Sequence, residues 1–262
     1  MDILQKLSKF YSKFKGEKGI IGKSIEQREI YYFCVKKTLF PVIIVQYAIH
    51  GREYITTYLA LKQIKNFIKY GKVGTVYFIP ATNPDGIYRA LYQNPLYKAN
   101  AREVDLNVNF SARWGTGAKN LKTPSIENYI GEYPFSELES RALRDFTLKN
   151  KPNFTISYHS KGEEIYWKFF QPKKTLDRDF KFASIISNAT GYPLKESLNS
   201  AGGYKDWCIE RLKIPAVTIE VGSDKLTHPI KKKHLYRIYN QNKKVLINLS
   251  EALWEAKYKK YD

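Results

Sequence analysis

His50 and Glu53, separated by two residues, follow the apolar run Pro41-Val42-Ile43-Ile44-Val45 and precede a helical pattern that starts near Ile55. At the C-terminal end of a strand, an imidazole and a carboxylate at this spacing can turn toward one point. Imidazole nitrogen with carboxylate oxygen is a donor set that zinc accepts, and a catalytic zinc site uses three such ligands and leaves a fourth position open. Alone, the motif also describes a salt-bridged surface pair. The other histidines narrow the choice. The chain has four: His50, His159, His228 and His234. His159 ends a second apolar stretch, Phe154-Thr155-Ile156-Ser157-Tyr158, which alternates and is rich in strand formers. Two histidines thus stand at strand ends, where ligands gather in open α/β sheets. His228 precedes Pro229 in a loop and His234 lies in a lysine-rich helix start; both are expected to be solvated surface histidines.

A carboxylate completes the constellation. Val217-Thr218-Ile219-Glu220-Val221-Gly222 puts Glu220 near the end of a third apolar strand. A glutamate in such a run is costly to bury unpaired. It is either an edge residue facing water or paired to a lysine, or a general base within reach of a water beside the metal. Arg52, inside the first motif, is placed to touch substrate or to form a structural ion pair.

At these residues the chain resembles the zinc carboxypeptidases of the carboxypeptidase A type, whose type member holds zinc through two histidines and a glutamate. The resemblance runs from about residue 22 to 222. Residues 22–30 look like the family's opening hairpin, and His50 to Glu53 like its first zinc motif. Asn83-Pro84-Asp85-Gly86 and Asp105-Leu106-Asn107 match two internal landmarks. His159-Ser160 matches the second zinc motif, and Gly202-Gly203 with Asp206-Trp207 the segment before the catalytic glutamate. Within the family, the stretches 159–167 and 203–207 look like the bacterial γ-D-glutamyl-L-diamino acid peptidases and murein peptide amidases. These cut peptidoglycan stems between D-glutamate and meso-diaminopimelate.

The resemblance implies one zinc per chain on His50, Glu53 and His159, with Glu220 as general base. It implies Arg102 as the arginine that stabilises the developing oxyanion, Asn107 as an orienter of a substrate carboxylate, and Lys205 as a cation in the specificity pocket. Two positions depart from the family. Val108 stands where carboxypeptidases place the arginine that clamps a terminal carboxylate, and Leu198 where they place a lid tyrosine. An aliphatic side chain cannot bind a carboxylate, so the expected partners are peptidoglycan stem peptides or muropeptides rather than ordinary C-terminal residues. The alternatives are a metallocarboxypeptidase or amidohydrolase on another acidic peptide, and a non-catalytic basic protein binding polyanions on a hydrolase scaffold. The intact set His50, Glu53, His159 and Glu220 argues against the last.

Composition bounds the rest. Lys and Arg total 44 against 25 Asp and Glu, a formal charge of +19. Such a field attracts polyanions, although Lys, Ile, Asn and Tyr are abundant together, as compositional bias would also give. Lys231-Lys232-Lys233 reads as a solvated helix start, so no specific nucleic-acid partner is expected. Cys34 and Cys208 read as small buried hydrophobes, not a disulfide framework. Residues 1–16 read as a lysine-bearing amphipathic helix expected to pack on the domain, with a membrane-surface helix as the alternative because its polar face is basic, and with no signal-peptide pattern. No apolar run approaches a membrane span. The expected location is the cytoplasm, with release to the wall by lysis or sporulation left open.

One α/β domain over 1–262 is expected, a mixed and mostly parallel twisted sheet with helices on both faces. Strands are predicted at 30–35, 42–46, 75–79, 154–158 and 217–221. Helices are predicted at 55–70, 136–149, 179–189, 204–211 and 232–258. Ser136 with Glu139 reads as a capping box, and residues 110–133 as a long loop near the site.

Overall fold

The computed structural model describes residues 1–196 and 199–258. Leu198, read as the lid-tyrosine position, lies outside them. The strands are β1 (Lys18–Lys23), β2 (Glu29–Lys36), β3 (Val42–Tyr47), β4 (Thr75–Ile79), β5 (Phe154–His159), β6 (Glu164–Lys168), β7 (Leu194–Glu196) and β8 (Ala216–Glu220). They form one mixed sheet in the order β1-β2-β4-β3-β5-β8-β6-β7. The block β4-β3-β5-β8 is parallel throughout, and β1, β2 and β6 join antiparallel neighbours.

The helices are α1 (Ile3–Lys13), α2 (Ile55–Tyr70), α3 (Pro84–Tyr92), α4 (Leu138–Asn150), α5 (Lys173–Thr190), α6 (Tyr204–Glu210), α7 (Leu235–Asn242) and α8 (Val245–Tyr258). Successive strand residues point to opposite faces, and the sheet is covered on both. Ile43, Val45 and Tyr47 of β3 pack with Leu59, Ile64, Phe182 and Leu249 on one side. Ile44 packs with Leu143, Tyr204 and Trp207 on the other. Ile3 and Leu7 of α1 join the first core, so that helix does pack on the domain. Cys34 and Cys208 are free and buried. No helix among the described residues is long and apolar enough to cross a membrane.

The chain leaves β3 toward β4 on one side, while β5 and β8 build outward on the other. The switch in direction falls between β3 and β5, which is where open α/β sheets form a crevice outside the carboxyl ends of their strands.

Three expectations change. The C-terminal helix is not continuous from 232 to 258. A 3-10 turn spans Lys232–His234, and α7 and α8 are separate. The cause lies in α2: Gln63 Nε2 donates to the Asn242 carbonyl at 3.1 Å and Asn66 Nδ2 to the Lys243 carbonyl at 2.6 Å. Carbonyls that would accept the next turn's N–H groups are thus held by buried amides. Ser136 does not cap α4, whose N-cap is Glu137 without a side-chain cap bond. Its hydroxyl donates instead to the Glu137 carboxylate at 2.8 Å, while Glu139 accepts from the Ile25 N–H and Asn100 Nδ2. Finally, α5 begins at Lys173, six residues before the predicted start at Asp179, and β6, β7 and α3 were not predicted, whereas the hairpin expected at 22–30 is the β1–β2 turn.

Gln63 also accepts from Tyr47 Oη at 2.6 Å and donates to Tyr158 Oη at 3.0 Å. The two tyrosine rings stack 5.0 Å apart. Gln63→Ala orphans these buried groups together and is expected to destabilise the fold by about 1–3 kcal/mol. Denaturant unfolding reads this, and an unchanged midpoint would refute the network's contribution.

Candidate metal centre and active site

The turn that presents the first motif is built from close backbone contacts. After β3, the Ala48 N–H donates to Thr56 Oγ1 and the Gly51 N–H to the Lys98 carbonyl, each at 3.0 Å. A Cβ on Gly51 would lie 2.2 Å from the Gly86 carbonyl oxygen. Only glycine lets α3 sit this close. Asn83 holds the start of α3 by accepting from the Gly86 N–H at 2.8 Å and donating to the Ile49 and Ala99 carbonyls. The Asn-Pro-Asp-Gly landmark therefore buttresses the metal turn.

The donor groups of three side chains converge across the switch point. His50 Nδ1 lies 2.9 Å from Glu53 Oε1 and 3.1 Å from His159 Nδ1, and His159 Nδ1 lies 3.1 Å from Glu53 Oε2. All three residues are buried, and no other group of this kind occurs among the described residues. The opposite nitrogen of His50, Nε2, is 3.1 Å from Asp105 Oδ1. A proton held there toward the carboxylate leaves the Nδ1 lone pair facing the other two donors, as a metal ligand requires. Two imidazole nitrogens 3.1 Å apart, each about 3 Å from an oxygen of one carboxylate, fit one zinc ion, whose bonds to such atoms are about 2 Å long.

Electrostatics agree with an ionised set. Burial would raise the Glu53 carboxyl, but His50 and His159 hold it well below the usual carboxylate range. Burial would likewise raise Asp105, and Lys98 and His50 hold it well below its ordinary value.

Glu220 ends β8 directly opposite His159 in the parallel register. The Val221 N–H donates to the His159 carbonyl at 2.9 Å, which locks that register. Burial pushes the Glu220 carboxyl up to about 8 against the pull of His159. A divalent cation at the triad would draw it down again. Glu220 lines a pocket of about 240 Å³ together with Asn107, Tyr166, Gly203, Lys205 and Asp206. Asn107 is held by its own N–H, which donates to Asp105 Oδ1 at 3.1 Å. Lys205 is buried, with Nζ 2.6 Å from Asp206 Oδ1 and 3.3 Å from the Lys168 carbonyl. The cation expected in the specificity pocket is therefore part of an ion pair, with one N–H donor still available.

Two other expected residues lie elsewhere. The Arg102 side chain is 61% exposed, its guanidinium 3.9 Å from Glu137. It lines a separate pocket with Tyr129 and Tyr133. The cation beside the triad is Lys98, whose Nζ is 2.7 Å from Asp105 Oδ2 and acts electrostatically on both Glu53 and Glu220. Arg52 forms the ion pair that was its alternative reading, 3.3 Å from Glu127, and donates to the Leu96 carbonyl at 3.4 Å. His228 is not a solvated surface residue. It is partly buried, and burial lowers its pKa while Glu53 and His50 act on it electrostatically. Asp105 appeared in the sequence only as a landmark. Lys98 carried no signal at all, since its partner is seven residues away across a loop.

Comparisons with known proteins agree with this geometry. Residues 2–245 match the profile of the zinc carboxypeptidase family. The chain is 28% identical over 230 positions to the γ-D-glutamyl-L-diamino acid endopeptidase 1 of Lysinibacillus sphaericus, covering 73% of this chain and 57% of that protein. It thus spans well under two thirds of that relative's length. Bovine thrombin-activatable fibrinolysis inhibitor superposes with a TM-score of 0.84 at 21% identity, covering 98% of each chain. The murein-tripeptide amidase of Escherichia coli O157 superposes with a TM-score of 0.61 at 20% identity, covering 88% of this chain and 92% of that one.

The purified protein is expected to carry about one zinc per chain, lost in His50→Ala, Glu53→Ala and His159→Ala. Asp105→Asn removes the acceptor that orients His50 and is expected to weaken zinc affinity by about 10–100-fold. Chelator competition measures this without substrate. Unchanged affinity would make Asp105 a structural acid only.

Proposed function

The chain belongs to the zinc carboxypeptidase family, and from that premise we propose that it hydrolyses the γ-D-glutamyl–meso-diaminopimelate bond of peptidoglycan stem peptides. The observation that carries this reading is the pocket that joins Glu220 to Asn107 and Lys205, with aliphatic Val108 next in the chain. It offers polar groups to a carboxylate beside the scissile bond and no arginine at position 108 to clamp a C-terminus. The likeness to an endopeptidase named for γ-D-glutamyl-L-diamino acid substrates supports the same bond.

His50, Glu53 and His159 would hold zinc, which when bound would supply a Lewis acid and lower the pKa of water at the site. Glu220 accepts the proton of the attacking water and returns it to the leaving amine. Lys98 supplies the fixed positive charge that the resemblance assigned to Arg102, and favours the oxyanion as negative charge develops. Asn107 and the remaining Lys205 donor hold the substrate carboxylate.

Glu220→Gln should keep zinc and fold yet lose about 10²–10⁴ in turnover. Mass spectrometry of muropeptides should show cleavage at the γ-D-glutamyl bond and negligible release of C-terminal Phe or Leu from blocked dipeptides. The reverse pattern would promote the carboxypeptidase reading. Lys98→Met should lower kcat/KM far more than Arg102→Met. Equal effects would return the oxyanion role to Arg102 or remove it from both.

A further inference from the structure

A second concave surface lies away from the metal centre. It is a groove of about 840 Å³ between α1, β2 and the end of α2. Val35 of β2 pairs with Val76 of β4, which pairs with Ile43 near the start of β3. The groove therefore sits at the opposite end of the parallel strands from His50, His159 and Glu220. Along α2, Ile68 lies roughly 20 Å from Ile55, which follows the metal turn.

The floor is apolar, with Phe10, Phe14 and Val35, and Ile68 is 44% exposed at its margin. The rim carries Lys6, Lys9, Lys13, Lys15, Lys36 and Lys65 against a single acid, Glu17. None of these lysines forms a salt bridge among the described residues, whereas Lys98, Lys161, Lys168 and Lys205 elsewhere do. The basic surface continues past the groove: Lys6 and Lys232 share the face of Tyr58 at 5.3 and 5.7 Å. Beyond Ile68, the Lys37 ammonium donates to the Ile68 carbonyl at 2.8 Å and brings in the loop that carries Leu39, 76% exposed.

We propose that this lysine-rimmed groove docks the protein on a bilayer rich in acidic phospholipids. Lysine stems lie along apolar surface while their ammonium groups reach the headgroup phosphates. Ile68 and Leu39 enter the acyl boundary between them. The apolar face of α1 itself stays in the core through Ile3 and Leu7, so docking uses the assembled groove and needs no helix to peel away. A soluble polyanion would use the charge but has no use for the exposed apolar residues, and this favours a lipid surface. Docked this way, the protein turns the metal centre away from the bilayer.

The test is co-sedimentation of the full chain with vesicles of phosphatidylglycerol and phosphatidylcholine in equal parts, and with phosphatidylcholine alone. Binding is expected only to the acidic vesicles. Each lysine near such a surface contributes about a factor of five, so Lys9→Gln with Lys13→Gln should weaken partitioning about 30-fold. Both side chains are exposed and the fold does not depend on them. Lys119→Gln with Lys122→Gln, in an exposed loop elsewhere, should have little effect. Ile68→Ser should weaken vesicle binding while leaving retention on polyphosphate unchanged. Equal binding to neutral vesicles, equal loss in the two lysine pairs, or no effect of Ile68→Ser would each overturn the proposal; the last would make the groove a site for soluble polyanions.

Discussion

The Asp105 carboxylate is the contact on which the centre depends. It is fully buried, and four donors converge on it: His50 Nε2, Lys98 Nζ and the N–H groups of Asn107 and Asn128. A buried carboxylate without such partners costs on the order of several kcal/mol. With them, one acid fixes the tautomer of a metal ligand, anchors the nearest cation, orients the pocket residue Asn107 and ties down the long loop through Asn128. The 3-10 turn at Leu106–Val108 follows from the same residue, since Asp105 is its N-cap and accepts from Asn107.

The second constraint is register. His159 and Glu220 face one another because β5 and β8 are parallel and paired without a shift. A slip of one residue would turn Glu220 to the other face of the sheet. The antiparallel partner β6 brings Glu164 opposite Glu220 as well, so two carboxylates share that corner. Burial and the like charges of Glu53 and Glu164 raise Glu220, and the imidazole of His159 opposes them.

What could be read from the sequence follows burial. The four parallel central strands are covered on both faces and so appear as short stretches rich in apolar and β-branched residues, with β5 alternating. His50, His159 and Glu220 were visible because each stands at the end of such a run. The edges were less legible: β1, with two glycines in six residues, showed only through the hairpin at 22–30, and β7, three residues long, not at all. Partners across loops were hidden too. Arg102 and Lys98 are both basic residues a few positions before Asp105, and only the folded chain shows which one turns inward. The break between α7 and α8 was invisible for the same reason, because Gln63 and Asn66 act from almost two hundred residues away.

That break has a thermodynamic consequence. The helix whose amides capture the Asn242 and Lys243 carbonyls begins two residues after the ligand Glu53. Opening the C-terminal helices would strip buried amides from α2 and loosen the turn that holds the metal. The α7–α8 junction and the metal turn are thus linked through α2. An ion that binds only the closed turn would add its binding free energy to that linked unit by mass action, so bound zinc would stabilise α7 and α8 together with the turn that holds it.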